Sequence, residues 1–188
     1  TNLMTVTQEK IKQKEHWKWK SWEEIEEVFE ALKEKALPLL SKKVQKMPDM
    51  KIINKFILLA CYVLIPPRRI MDYSHMKFRN YDENNDNYYD VENKAFVFNK
   101  YKTQATYGEQ TVKLPLELRK YLLKWKKIND EFDYMVLNKT GSNKAGNTTV
   151  TKLLNEIFES NISVDMIRHA FITDFSGSID EMQNNAGT

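Results

Sequence analysis

Five arginines stand among twenty-four lysines in this chain: Arg68, Arg69, Arg79, Arg119 and Arg168. A lysine serves as a solvated charge almost anywhere, whereas the planar guanidinium fork suits bidentate recognition of a phosphate. Three basic positions have a setting that a merely solvated charge does not need. Arg69 follows Arg68 directly after the rigid pair Pro66-Pro67. Lys102 lies in the run Lys100-Tyr101-Lys102-Thr103, and Arg168 lies inside the apolar stretch Met166-Ile167-Arg168-His169-Ala170-Phe171. An arginine flanked by apolar residues on a helix is costly unless it has an anionic partner. That partner is either a carboxylate of the chain, Asp72 or Asp165, or a phosphate brought from outside.

Other groups capable of chemistry have plainer readings. The lone Cys61 sits in an apolar run and reads as core packing; a single cysteine also excludes a disulfide framework and a multi-cysteine zinc site. The loop Lys139 to Gly146 superficially suggests a phosphate loop, but the order GxxxxGK[ST] is missing, so no nucleotide site is expected. His16 and His75 have no motif around them and read as ordinary surface or structural residues.

The chain of 188 residues and 22.3 kDa is long enough for one well-buried domain. Hydrophobic residues at 41% and charged residues at 29% fit a globular protein and exclude a disordered one. Five Gly and five Pro are too few for a turn-dense β-sandwich, so helices should dominate. The longest apolar run, Phe56 to Pro67, is about half a membrane span, and the N-terminal residues lack the pattern of a secretory signal. An intracellular protein without a membrane partner is expected. Net charge is only +3, so the distribution of cations says more than their sum.

The elements that must position the cations follow from periodicity. Residues 1–20 read as a basic arm, in which five lysines interleave with Trp17 and Trp19; it is either a strap along nucleic acid or a solvated linker. A helix starts at Ser21 with a Ser21/Glu24 capping box and is ended or kinked by Pro38. A second, buried helix runs from about Met50 to Leu64 and is stopped by Pro66-Pro67, followed by a short helix from Ile70 to Met76. The period then becomes that of strands: a hairpin over residues 88–91 and 95–99, and a third strand from Gln110 to Leu114. Asn80 to Asn87 reads as a polar loop. Helices are expected over Leu116–Ile128, Asn147–Phe158 and Val164–Phe175, with Tyr134 to Leu137 extended and a polar tail from Ser176. The expectation is an α+β fold, mainly helical, with a small three-stranded antiparallel sheet.

Taken in order, these segments resemble the catalytic domain of the tyrosine recombinases of phage-integrase type, in the version carried by virophages and large DNA viruses. Pro66-Pro67-Arg68-Arg69-Ile70-Met71-Asp72 is similar to the first-arginine box, with an acid three residues after Arg69. Phe98-Asn99-Lys100-Tyr101-Lys102-Thr103, with Gly108 and Val112 to Pro115 after it, is similar to the hairpin Lys-Thr segment. Ile167-Arg168-His169-Ala170-Phe171-Ile172-Thr173 is similar to the second-arginine box. The resemblance covers residues 21–188 and implies the recombinase catalytic fold. It further implies DNA cleavage and rejoining through a 3′-phosphotyrosine, with double-stranded DNA as partner and with no metal or cofactor. By position, Arg69 and Arg168 would brace the scissile phosphate, Lys102 would protonate the leaving 5′-oxygen, and Asp72 would orient Arg69. Arg68, Lys100, Lys139 and Lys144 would contact the DNA backbone. His169 matches a family histidine that either joins catalysis or buttresses the fold.

Two departures accompany the resemblance. Asp165 stands where the family usually has His, and is expected to face away from phosphate or to pair with a cation. The family spacing puts a further His or Trp roughly 23 residues, and the nucleophilic Tyr about 32 residues, after the second Arg. All nine tyrosines precede Arg168. The expectation is therefore a core that clamps phosphate without its nucleophile: monomeric in this form and tetrameric on DNA as the full-length protein. The alternative is a non-catalytic DNA-binding module derived from the same family.

Overall fold

Pro66 and Pro67 separate the most buried helix of the protein from the segment that carries the paired arginines, and the fold is arranged around that break. The computed structural model describes residues 21–43, 45–138 and 144–186, with side chains as far as residue 176. The arm expected over residues 1–20 lies outside the described residues, as does Lys139.

Helix α1 (Trp22–Leu40) begins where the Ser21 Oγ accepts the Glu24 N–H at 3.2 Å, satisfying one of the free donors of the first turn. Pro38 does not end it. The proline falls in the last turn, where little ladder remains to be lost, and the helix continues to Leu40. Helix α2 (Met47–Val63) begins earlier than its apolar stripe, because Pro48 is well suited to a first helical turn. Ile53 and every residue from Phe56 to Tyr62 are buried, so this helix is the axis of the core. Around it pack α1, α5 (Leu116–Ile128) and α6 (Asn147–Phe158). Phe56 stacks on Phe29 of α1 with ring centroids 5.6 Å apart and meets Tyr121 of α5 edge-on at 4.9 Å. Each buried aromatic of this kind contributes roughly 2–3 kcal/mol of hydrophobic stabilisation. Cys61 is fully buried here, and burial pushes its thiol pKa well up, as core packing requires.

The sheet has four strands in the order β1-β2-β3-β4: Met76–Lys77, Asn87–Asp90, Ala95–Phe98 and Gln110–Lys113. Three of them form the expected antiparallel meander, with Tyr89 opposite Phe96 and Phe96 opposite Val112. The fourth corrects the sequence reading. Met76 and Lys77 pair in parallel with Asn87 and Tyr88, so the sheet is mixed, not purely antiparallel. Two residues are too short for any alternation to register, and only the partner strand defines them as a strand. The neighbouring segment adds to this edge: the Met135 N–H bonds to the Met76 carbonyl at 2.9 Å and the Phe78 N–H to the Asp133 carbonyl at 2.6 Å.

Two short helices, α3 (Ile70–Ser74) and α4 (Gln104–Tyr107), flank the sheet. Gly108, at φ +67°, closes α4 in a conformation that favours a residue without Cβ. The last helix, α7 (Val164–Ala186), seats Phe171 against Trp22 of α1 at 5.3 Å. It runs well past Phe175, where the apolar stripe ends. Backbone bonding continues through polar residues, so the expected tail from Ser176 is helical as far as Ala186. The described residues thus form a mixed fold of seven helices and four strands. None of these helices is long and apolar enough to cross a membrane.

Arg79 has a purely internal task. Its guanidinium donates to the carbonyls of Asn129 and Phe132, and to that of Lys126 at 2.6 Å, collecting acceptors at the C-terminal end of α5. A cation suits that end of the helix dipole. Asn54 similarly ties α2 to the extended segment, donating to the Leu137 carbonyl at 2.8 Å and accepting its N–H at 2.9 Å.

Candidate functional site

The two prolines after α2 carry the chain to Arg68 and Arg69 at the start of α3, and the two arginines part company there. Arg68 turns inward. Its Nε donates to Asp72 Oδ2 at 2.8 Å and its Nη2 to Gln110 Oε1 at 3.2 Å. Its guanidinium carbon lies 3.9 Å from the Phe98 ring centroid and 5.5 Å from that of Tyr101. Stacked on one ring and bonded to two separate side chains, Arg68 pins the start of α3 to β3 and β4. Arg69 turns outward and is exposed.

The Asp72 carboxylate, expected to orient Arg69, therefore takes its ion pair from Arg68. Distant contacts decide this: the Arg68 guanidinium is held over Phe98 and bonded to Gln110, which leaves its Nε facing Asp72. Asp72 is nevertheless the electrostatic centre of the site. Burial raises its pKa, while Arg68, then Arg69 and Arg168, act to lower it. Arg168 also acts on the buried Tyr62 hydroxyl. Tyr62 Oη and Asp72 Oδ1 make no hydrogen bond among the described residues. Helices α2, α3 and α7 thus bring Tyr62, Asp72 and Arg168 within electrostatic reach of one another.

An open hollow of about 530 Å³ is lined by Arg69, Met71, Asp72, His75, Asn99, Lys100, Tyr101, Lys102 and Gln104. It lies between α3 and the connection from β3 to α4. The Arg69 guanidinium and the Lys102 ammonium make neither a hydrogen bond nor an ion pair among the described residues. Two such cations facing one recess form a natural seat for an anion. A second hollow of about 580 Å³, beside Leu40, Met50, Lys124 and Phe132, mixes its lysines with Asp130 and Glu131, so its charges do not converge in this way.

One buried side chain fixes the distance between the two walls. Asn87, at the start of β2, donates to the Asp72 carbonyl at 3.0 Å and to the Lys100 carbonyl at 2.9 Å. Its Oδ1 accepts the N–H groups of Asn99 and Lys100, at 2.8 and 2.6 Å. Asn99 in turn donates to the carbonyls of Glu83 and Asp86, both at 2.9 Å. Asn87, the last residue of the stretch that read as a polar loop, and Asn99 after β3 thus frame the site. Their signal in the sequence is only that so many amides stand next to a strand, and nothing in their spacing names a partner.

Cations also gather around Asp86, and Lys100, which lines the hollow, is one of them. Asp86 accepts from Lys77 and Lys100, each at 3.2 Å. Burial works against the Asp86 charge, but the Asp82 N–H and the two ammoniums outweigh it and hold the carboxyl below its ordinary value. Lys144, at an isolated bridge to Leu137, places its Nζ 2.7 Å from His75 Nδ1. Burial, then Lys100 and Lys77, push the Lys144 pKa down.

The remaining candidates from the sequence are more dispersed. Arg168 is partly exposed and pairs with Asp165 at 3.5 Å across one turn of α7; Asp165 thus meets a cation, in an exposed pair worth little. Arg168 does not line the hollow, and its link to it runs through Asp72. His169 is exposed and lines no part of the hollow. His75, set aside in the sequence as ordinary, does line it. Compared with protein-family models, curated proteins and solved structures, the chain finds no match.

Proposed function

We propose that this protein is the DNA-handling core of a tyrosine recombinase, with double-stranded DNA as its partner. The observation that carries the reading is that Arg69 and Lys102, whose side-chain cations make no hydrogen bond or ion pair among the described residues, line one solvent-open hollow. In that reading a backbone phosphate sits in the hollow. Arg69 braces a non-bridging oxygen where charge grows as the phosphorus becomes five-coordinate. Lys102, on the connection from β3 to α4, supplies the proton taken up by the departing 5′-oxygen when a tyrosine oxygen bonds to phosphorus. The phosphotyrosine so formed keeps the bond energy for rejoining. Arg168 joins the clamp from α7, and its weak tie to Asp165 is easily exchanged for phosphate.

Duplex binding at two ionic strengths tests the reading. A phosphate clamp loses affinity steeply as salt rises, and loss of Arg69, Lys102 or Arg168 weakens it on every sequence alike. Affinity for duplex that is absent, or indifferent to salt, overturns it.

One observation favours a second reading, a non-catalytic DNA-binding module on the same frame: Arg168 stands paired with Asp165 and outside the hollow's wall. A nicked suicide duplex offered to the full-length protein, which would carry the nucleophilic tyrosine, separates the two readings, since only a recombinase leaves a covalent protein–DNA adduct.

A further inference from the structure

His75 is the group in the hollow that the recombinase reading leaves without a task. It follows directly on α3, is half-buried, and shares the hollow with Arg69 and Lys102. Its Nδ1 lies 2.7 Å from Lys144 Nζ. With Lys144 as an ammonium, which has three protons and no lone pair, Nδ1 is the acceptor of that bond. The opposite arrangement, imidazolium against neutral amine, would leave the proton on the weaker base. A ring that accepts through Nδ1 carries its own proton on Nε2.

The charged groups facing His75 come from several elements. They are Lys144 from the segment before α6, Lys100 from the β3–α4 connection, Lys77 from β1 and Asp86 from just before β2. Asp86 pairs with Lys77 and with Lys100, each at 3.2 Å. Burial and these lysines press the ring toward its neutral form.

We propose that His75 is a phosphate-binding residue, kept neutral as the Nε2–H tautomer by Lys144 and donating Nε2–H to a non-bridging oxygen of the DNA phosphate seated between Arg69 and Lys102. This rests on the DNA reading above and adds a residue to it. Lys144 is then a positioning residue, acting on phosphate only through the imidazole. A neutral donor gives the clamp direction without adding one more positive charge to a recess already ringed by cations. It also keeps the clamp's charge constant where a free histidine would titrate.

The test combines ¹H–¹⁵N correlation of the histidine rings with duplex titration of the same protein. In the free protein His75 is expected as the Nε2–H tautomer at neutral pH, and added duplex is expected to move its Nε2 resonance. His75→Ala is expected to weaken duplex binding about fivefold, the size of one neutral hydrogen bond. Lys144→Met is expected to raise the pH at which His75 titrates and to move any pH dependence of duplex affinity upward with it. An Nδ1–H tautomer overturns the proposal whatever the variants do. So does a duplex that binds while the Nε2 resonance stays still, and in that case the DNA reading survives. Duplex that fails to bind at all removes both.

Discussion

Asn87 and Lys100 hold each other through two hydrogen bonds, the Lys100 N–H to Asn87 Oδ1 at 2.6 Å and the Asn87 Nδ2 to the Lys100 carbonyl at 2.9 Å. With the Asp72 carbonyl and the Asn99 N–H added, a fully buried amide uses both its donors and both its acceptor positions. The helix that presents Arg69 and the turn that presents Lys102 are therefore set against one another by a side chain with no chemistry of its own.

Replacing Asn87 by Ala leaves several buried backbone groups without partners. The expected loss is about 3 kcal/mol of unfolding free energy, read from urea denaturation, together with weaker duplex binding by the molecules that remain folded. Parent-like stability would show that the four bonds do not carry the frame.

The two adjacent arginines should respond in opposite ways. Arg68→Lys removes the fork that spans Asp72 and Gln110 and the stacking on Phe98, so it should cost about 1–2 kcal/mol of stability. Arg69→Ala should leave the melting temperature unchanged and reduce the salt slope of duplex binding by about one unit. Calorimetry and anisotropy titration on the same two variants check this, and a reversed pattern would assign the inward arginine to DNA.

Arg79 is expected to matter for folding alone. Substitution by Met strips the carbonyls of Lys126, Asn129 and Phe132 of their shared donor, and a loss of about 2–4 kcal/mol follows. Duplex affinity per folded molecule should not change.

His75 should also leave its mark on stability against pH. Its folded pKa is lowered by burial, then by Lys144 and Lys100, so the unfolded chain binds more protons as pH falls past 6.5. The stability associated with the neutral ring is present above pH 6.5 and is lost progressively below it. A His75→Gln variant, followed by denaturation across pH 5 to 8, should lack that part of the slope.

Cys61 should resist thiol reagents in the native protein and react only at the rate of unfolding, since burial holds the thiol protonated and out of reach. A stoichiometric native-state reaction with a water-soluble reagent would contradict its place in the core.

Much of the architecture was legible in the chain because it depends on local rules. The Ser21 cap, the stop at Pro66-Pro67 and the two helices over Leu116–Ile128 and Asn147–Phe158 follow from capping, proline geometry and a period near 3.6. The meander from Asn87 to Lys113 follows from short aromatic and β-branched runs set around turns. The parallel strand Met76–Lys77 did not, because two residues hold no period. The helical continuation to Ala186 did not either, because helix bonding outlasts the apolar stripe by which it is recognised.

For the site, the order of residues by itself determined that a few guanidinium and ammonium groups sit where solvation is incomplete and therefore seek anions. Only the tertiary structure decided which of them face one recess. Arg68 and Arg69 are chemically identical neighbours, and the Phe98 ring and the Gln110 amide, far along the chain, select the inward one. His75 and Lys144 are separated by 69 positions and meet at 2.7 Å. Side-chain direction and proton placement depend on such distant partners, and a local pattern holds no record of them until the chain has closed on itself.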